Sequence, residues 1–544
     1  MAQSYDYVII GGGSAGCVLA NRLTEDAGVS VLLLEAGGWD RSPYIHLPMA
    51  WGRMFGGRMF DWGYDTMPEP HLDNRVLDCA RGKVMGGSSS INAMAYGRGH
   101  PSDYDGWADQ GMEDWAWDEV LPYFRKMETW EKGGNDVRGG DGPIRVREVP
   151  VNDRLSDAFF AAARDLQMPF TDDTNGEQQL GWHVPQFSIG RGRRCSTSVA
   201  YLRPALKRGN LTVESNALVD RIVVEDGRAV AVDYSVKGTD RQARARREVI
   251  LSAGSINSPQ VLMRSGIGDG EQLAALGVPV VADLPGVGRN LHDHVNVAHD
   301  VIRSDSGELH KMLRYDRFFS AVAEALFLRT GPVTGLPMGA IAFLKSRFAD
   351  KASDLTFLVR QSAAAPSQYW PWQTPGPDGI GYRVVYLQPE SRGEIRVVSR
   401  DPAAAPEIYQ NLLASPRDRE VARDAMRLVG QINEHPLIKP FVAEETKIKL
   451  ATATDDELDA HIRQTTNTVH HPVGTVKMGK ADDPMAVLDG RLRVRGVDGL
   501  RVVDASIMPV IVTGPTNAPT IMIAERASDL IKSEARGAAG ERAA

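Results

Sequence analysis

The stretch YDYVIIGGGSAGCVLANRL, residues 5–23, constrains this chain more than any other. A short apolar run, Tyr7 to Ile10, meets a glycine turn and then a helical pattern carrying Val18, Leu19 and Leu23. A second apolar run, VSVLLLEAG, follows and closes on Glu35 and Ala36. Gly11, Gly13 and Gly16 supply the G-x-G-x-x-G spacing. The first glycine turns the chain, the second admits a pyrophosphate, and the third lets the helix pack on the strand. Ser14 and Ala15 open that helix, whose unpaired N–H groups and partial positive charge favour a phosphate. Glu35, 19 residues past Gly16, stands where a carboxylate accepts hydrogen bonds from ribose hydroxyls. The unit predicts an α/β dinucleotide site. It does not separate FAD from NAD, because both carry the same adenosine diphosphate half.

A chain of 544 residues exceeds what one core supports, so two domains are expected. Its 42% hydrophobic and 24% charged residues describe a globular protein rather than a disordered one. The net charge of −8, with both signs intermixed, argues against a nucleic-acid partner. Cys17, Cys79 and Cys195 are too few and too scattered for a disulfide framework or a zinc cluster, which suits a reducing compartment. The start MAQSYDYVII lacks a basic leader, and no apolar run approaches the length of a membrane span. A cytoplasmic location is therefore expected, with peripheral membrane contact left open and the oligomeric state unread. The 54 glycines cluster in GGGSAG, GGWD, GGSSS and GRGRR, as backbone pressed against a large ligand requires.

Later motifs extend the site. ARGKVMGGSSSINAM, residues 80–94, is a second small-residue loop with Val84, Gly86, Gly87, Asn92, Ala93 and Met94. A flavin needs backbone contacts along its ring as well as at its pyrophosphate, and this loop is suited to the ring. LTVESNALVDRIVVEDGRAVAVDYSV reads as β-hairpin structure, and EVILSAGSINSPQ as a strand ending in Ala253 and Gly254 before a helix. LRVVDASIMPVIVTGPTNAPTIMIAERASDLI gives a strand into Asp504, an irregular stretch and a terminal helix. GIGYRVVYLQPESRGEIRVVSRDPAAAPEIYQN predicts antiparallel strands with a turn at Ser391 to Gly393, and RDREVARDAMRLVGQI an amphipathic helix.

Together these stretches resemble the glucose-methanol-choline (GMC) oxidoreductase family, from Tyr5 to about Lys532, through GGGSAG, GKVMGGSSSIN, GRRCSTSVAYLRP, SAGSINSPQVLMRSGIG, LPGVGRNLHDH, HHPVGTVKMG and TNAPTIMIAER. The resemblance implies FAD, in a Rossmann-like domain built from discontinuous segments placed at 1–151, 204–300 and 461–533. It implies a substrate domain at 152–203 and 301–460, a mostly antiparallel sheet flanked by helices. The tail 534–544 has no core-forming residues and is expected to be disordered. Carried over residue by residue, Val219 meets the adenine through its backbone, Asp504 and Ala505 lie near the ribityl and pyrophosphate groups, and Asn92 and Ala93 approach the ring. Ala518 joins Asn517 among the cofactor-facing residues. Some relatives tether the flavin through a histidine where this chain has Ile91, so noncovalent FAD is expected.

The implied reaction oxidises an alcohol, primary, secondary or on a sugar, to a carbonyl by hydride transfer to flavin N5. Electrons then pass to a quinone-type acceptor or O2. An alcohol is a very weak acid, and a histidine of ordinary pKa near 6.5 is a natural base for its proton. In NTVHHPVGTVKMG the family motif places that base on His471, and the second catalytic position, either His or Asn, on Asn517. His470 falls at a pocket position where choline-handling relatives carry an aromatic residue, so choline is a doubtful substrate. His292 and His294 have ligand-like spacing without a third partner, and a structural loop is the better reading than a metal site. Trp51, Trp62, Trp107, Trp115 and Trp117 are expected mostly in packing, and Ser88 to Ser90 in small polar contacts rather than as nucleophiles. Two other classes remain: a hydroxynitrile lyase with redox-silent FAD, and a flavin-binding protein without turnover.

Overall fold

The computed structural model describes residues 3–149, 152–336, 338–362 and 367–543, with side chains through Gly537. Two seven-stranded sheets dominate it. In the first, the strands Thr239–Leu251, Gln3–Ile10, Val31–Glu35 and Leu211–Ser215 lie side by side and parallel, and Leu500–Val502 pairs in parallel with Thr239–Leu251. Every residue of VLLLE in Val31–Glu35 is buried, as expected of a parallel strand covered on both faces. Thr239–Leu251 shows two patterns in one strand. Its first half, TDRQARARR, is mostly exposed and pairs antiparallel with Arg228–Val236, whereas Val249, Ile250 and Leu251 are buried between parallel neighbours. The hairpin Ala217–Glu225 to Arg228–Val236 turns at Asp226 and Gly227, as expected.

The second sheet is antiparallel, in the order Val442–Glu445, Val295–Arg303, Gly379–Tyr386, Leu355–Arg360, Met338–Leu344 and Gly181–His183. Asn467–Thr468 pairs with Val295–Arg303 as well. The strand Val295–Arg303 spans the expected junction between residues 300 and 301. Alternation fixes which side chains face which way. Phe357, Val359, Tyr382 and Val384 enter a core with the helices Arg154–Asp165, Pro416–Asn433 and Asp455–Thr465, while Thr356, Leu358, Arg360, Arg383 and Val385 face a cavity beneath the sheet.

Two expectations fail. No hairpin forms across Ser391 to Gly393. Asp418, in the first turn of Pro416–Asn433, accepts hydrogen bonds from the Glu390 and Ser391 N–H groups (2.9 and 3.0 Å) and draws the chain out of the sheet. Glu394–Arg396 then pairs with Glu407–Tyr409 instead. The segment 534–544 is helical as far as Ala543, within the helix Asn517–Ala543. Its alanines favour a helix, and Glu534 anchors it through ion pairs to Arg491 and Arg501.

Candidate functional site

The parallel strands of the first sheet end together, at Ile10, Glu35 and Leu251, and open onto one cavity of about 760 Å³. Ligands in open α/β folds bind outside the carboxyl ends of such strands. The second sheet roofs the far end. Gly11, Gly13, Ser14, Ala15, Glu35, Ala36, Gly87, Asn92, Ala93, Met94, Val219, Ala253, Gly254, Asp504, Ala505 and Asn517 all line this cavity, as do His470 and His471. Gly16, Val84, Gly86 and Ala518 do not. Gly16 acts through packing: a Cβ there would lie 1.8 Å from the Gly11 carbonyl oxygen. Val84 is buried beside Ile45 and Met54, Gly86 has φ +88° at the loop's turn, and Ala518 faces the core.

The two glycine loops touch, for a Cβ on Gly87 would come within 2.7 Å of Gly13 Cα. Glu35 accepts hydrogen bonds from the Gly12 and Gly37 N–H groups (2.9 and 2.7 Å), and burial raises its pKa to about 7. Asp504 accepts from Gly254 N–H, Ser258 Oγ and Ser506 N–H (2.8, 2.6 and 2.8 Å), so it fixes the start of the helix Gly254–Arg264. A register irregularity at Val219 loosens the ladder where that strand meets the cavity. A Cβ on Gly254 would meet nothing within 4 Å. The strand ends, paired glycine loops and open flank fit a flavin dinucleotide. Ile91, at the tethering position, also lines the space.

The turn Asn467–Pro472 is held from behind. Asp293 accepts hydrogen bonds from His471 N–H (2.9 Å) and Thr468 Oγ1 (2.5 Å), Thr468 Oγ1 accepts from His470 N–H (2.7 Å), and Arg81 Nη2 donates to the His470 carbonyl (2.5 Å). Burial raises the Asp293 pKa to about 6. His470 takes a left-handed backbone, φ 64°, and its ring packs edge-on against Phe55 with centroids 5.3 Å apart. Burial, then the Arg81 charge, lowers its pKa to about 3.

His471 Nδ1 lies 2.9 Å from His294 Nδ1, and His294 Nε2 lies 3.0 Å from the Val512 carbonyl oxygen. A carbonyl only accepts, so His294 Nε2 carries the hydrogen. Burial lowers the His294 pKa to about 4, so its Nδ1 is a lone pair, and His471 Nδ1–H donates to it. Burial, reinforced by the Arg81 charge, holds the His471 pKa well below its ordinary value. The neutral His471 ring therefore keeps its lone pair on Nε2. Across the site Asn517 Oδ1 accepts a hydrogen bond from Ser14 Oγ (2.8 Å), which leaves the amide N–H groups to serve as donors.

The histidine loop reading thus needs revision for His294, which contacts His471 directly. His292 does behave structurally: its Nε2 accepts from Ile511 N–H (2.9 Å). Among the described residues no group of His, Cys, Asp or Glu is arranged to hold a metal. Trp107 and Trp115 are fully buried, whereas Trp51 and Trp62 line the cavity. Ser88 lines it as well, and Ser89 and Ser90 are buried in hydrogen bonds to the Gly86 and Met85 carbonyls. Sequence reasoning missed Arg81, Asp293, Arg360 and Arg383. The motif LPGVGRNLHDH carried the signal for Asp293, lying between the two histidines. No helix among the described residues is long and apolar enough to cross a membrane.

Comparison with known proteins bears on the whole chain. Two GMC oxidoreductase family models match residues 5–296 and 389–524. An oxygen-dependent choline dehydrogenase of Chromohalobacter salexigens is 44% identical over 536 residues, 98% of this chain and 95% of that protein. Pyridoxine 4-oxidase from Mesorbium loti superposes with a TM-score of 0.85 at 31% identity, over 96% of this chain and 98% of that one. A formate oxidase variant from Aspergillus oryzae gives a TM-score of 0.91 at 26% identity, over 98% and 99%. None of these three is named as a lyase.

Proposed function

The chain belongs to the GMC oxidoreductase family and is an FAD-dependent alcohol oxidoreductase; we propose that His471 is its general base and that Asn517 holds the substrate oxygen. The observation that carries this reading is the His294–His471 hydrogen bond, which assigns the lone pair to His471 Nε2. A hydroxyl between the two side chains gives its proton to Nε2 while the Asn517 amide donates to the oxygen. The amide steadies the negative charge that develops there. Bound FAD supplies the acceptor for the two electrons and the hydrogen of the carbinol carbon. The low His471 pKa keeps the ring unprotonated and ready at neutral pH. Loss of such a base costs about 10² to 10⁴-fold in rate.

The cofactor is held noncovalently in this reading, since Ile91 offers no nucleophile at the tethering position. Ser14, Glu35 and the glycine loops hold the dinucleotide half, and the loop around Asn92 meets the ring. Oxygen is the acceptor that the 44% relative's name favours. That name also favours a second reading in which the alcohol is choline.

Anaerobic mixing of the holoenzyme with primary, secondary and sugar alcohols tests the proposal. Loss of the oxidised-flavin absorbance, restored on admitting oxygen, is expected. Flavin left unchanged by every alcohol, choline included, contradicts it.

A further inference from the structure

The cavity's far end is roofed by one face of the antiparallel sheet, and that face carries two guanidinium groups. Arg360 and Arg383 both line the cavity. Strand register orders them along its length. Asn296, Val385 and Thr356 form one row across three strands, with Asn296 also paired to Asn467 near the catalytic turn. Arg383 stands in the next cavity-facing row, and Arg360 in the one after. Rows two residues apart are separated by about 7 Å, so both guanidinium groups lie within a small molecule's length of the site beside His471.

Their charges are incompletely matched. Arg383 Nη1 donates to Asp300 Oδ1 (2.8 Å) and to the Tyr382 carbonyl (2.7 Å), leaving Nε and Nη2 without acceptors among the described residues. Arg360 has no ion pair and no hydrogen-bond acceptor among the described residues, and its neighbours Thr356 and Leu358 on the same face bring no charge. Burial and the Arg383 charge lower the Arg360 pKa, with Asp300 opposing them. His183, the other titratable group on this roof, is neutral, with its pKa lowered to about 4 by burial. Two cations therefore share one carboxylate, Asp300, which lies across Gly381 in the row of Arg360 and is hydrogen-bonded to Arg383. A half-buried, unpaired guanidinium on an apolar face is costly unless a ligand completes it.

We propose that Arg360, assisted by Arg383, binds an oxyanion on the substrate, a carboxylate or a phosphate, so that the preferred alcohol is an anionic one. This deepens the alcohol-oxidation reading and rests on it. The same charges work against choline, whose trimethylammonium group would enter a positively charged roof. Guanidinium groups pair with carboxylate and phosphate through parallel N–H donors, which also fixes the ligand's direction and points its hydroxyl end toward His471 and Asn517.

The test uses holoenzyme in two arms. In the binding arm, short aliphatic carboxylates and alkyl phosphates without a hydroxyl are titrated against the flavin absorbance spectrum. Saturable perturbation by one or both anions, weakened about 10- to 100-fold in Arg360→Gln, is expected. The anion that binds more tightly identifies the headgroup. In the turnover arm, ω-hydroxycarboxylates, hydroxyalkyl phosphates, matched neutral alcohols and choline are compared by kcat/KM. The anionic members lead, and Arg360→Gln erases their advantage through KM. No anion binding in the wild type, or an Arg360→Gln variant that binds anions as well as the wild type, overturns the proposal. Neutral alcohols or choline outpacing every anion also overturns it while leaving alcohol oxidation intact. Anion binding without turnover of any alcohol would instead fault the reaction and spare the anion site.

Discussion

His294 Nδ1 lies 2.9 Å from His471 Nδ1, and the Val512 carbonyl 3.0 Å from His294 Nε2 settles which ring donates. Under the proposed mechanism His294 is a positioning residue that acts through His471. Replacing it by phenylalanine removes the acceptor and frees His471 to protonate either nitrogen. The His294→Phe variant should lose about 10- to 100-fold in kcat with little change in KM, as is common when an orienting partner is removed. The acid limb of its pH profile should move downward, because a neutral acceptor on His471 Nδ1–H also steadies the protonated ring, and phenylalanine takes that acceptor away. Steady-state kinetics across pH measure both effects, and an unchanged profile would remove His294 from the mechanism.

The wild-type profile carries its own expectation. In the proposed mechanism His471 is unprotonated when it accepts the hydroxyl proton, and its pKa is held below 6.5 chiefly by burial. The kcat/KM plotted against pH should therefore stay flat through neutrality and fall only in acid below pH 6.5. A limb centred above pH 7 would mean that a different group accepts the proton.

How much of this was legible in the sequence depends on distance along the chain. The glycines, Glu35 and the strand before them act within one local unit, and their spacing sufficed. Asp504 was visible as an acid closing a strand. His294 was not, because HDH is as compatible with a loop as with a contact, and only folding brings it to His471 from 177 positions away. Arg360 and Arg383 are read as cavity residues only from alternation and register across strands whose pairing the sequence does not state. The expected turn at Ser391 failed for a similar reason. Its competitor, Asp418, belongs to a helix 27 residues on.

Stability should also depend on pH, in a direction set by buried histidines. His183, His292, His294, His461 and His470 have pKa values lowered to about 4, 3, 4, 4 and 3 respectively, mainly by burial, and His471 is lowered too. Below pH 6.5 the unfolded chain protonates these rings first, so their contribution is intact above 6.5 and is lost as pH falls toward 4. Glu35, Asp103 and Asp293, raised to about 7, 6 and 6 by burial, oppose this, because the folded state binds their protons more tightly. His46 and His100 are lowered as well and Glu69, Asp78 and Asp424 raised as well, and the eight histidines outweigh the six carboxylates. The thermal midpoint should drop steadily from pH 7 to pH 4.5, and a midpoint that rose over that range would reverse the assignment.

A buried charge cluster directly behind the cavity wall, where Tyr96 lines the space, offers a structural prediction. Glu128 accepts from Arg98 Nη2 (2.6 Å), Tyr96 Oη (2.7 Å) and Arg138 Nε (2.7 Å), and these side chains are almost wholly buried. Removing its charge leaves Arg98 without a carboxylate partner among the described residues, while Arg138 keeps Asp173. Glu128→Gln should destabilise the fold by about 3–5 kcal/mol. Urea denaturation of the holoenzyme reads this directly, and a loss below about 1 kcal/mol would show the cluster to be dispensable.

Stopped-flow measurement of the anaerobic reductive step in a His471→Ala holoenzyme bears most directly on the whole account. With flavin content and thermal midpoint matched to the wild type, reduction by the best alcohol should slow by about 10² to 10⁴-fold, and the acid limb of the pH profile should vanish. Reduction at the wild-type rate, with the limb still in place, would contradict the assignment of the base.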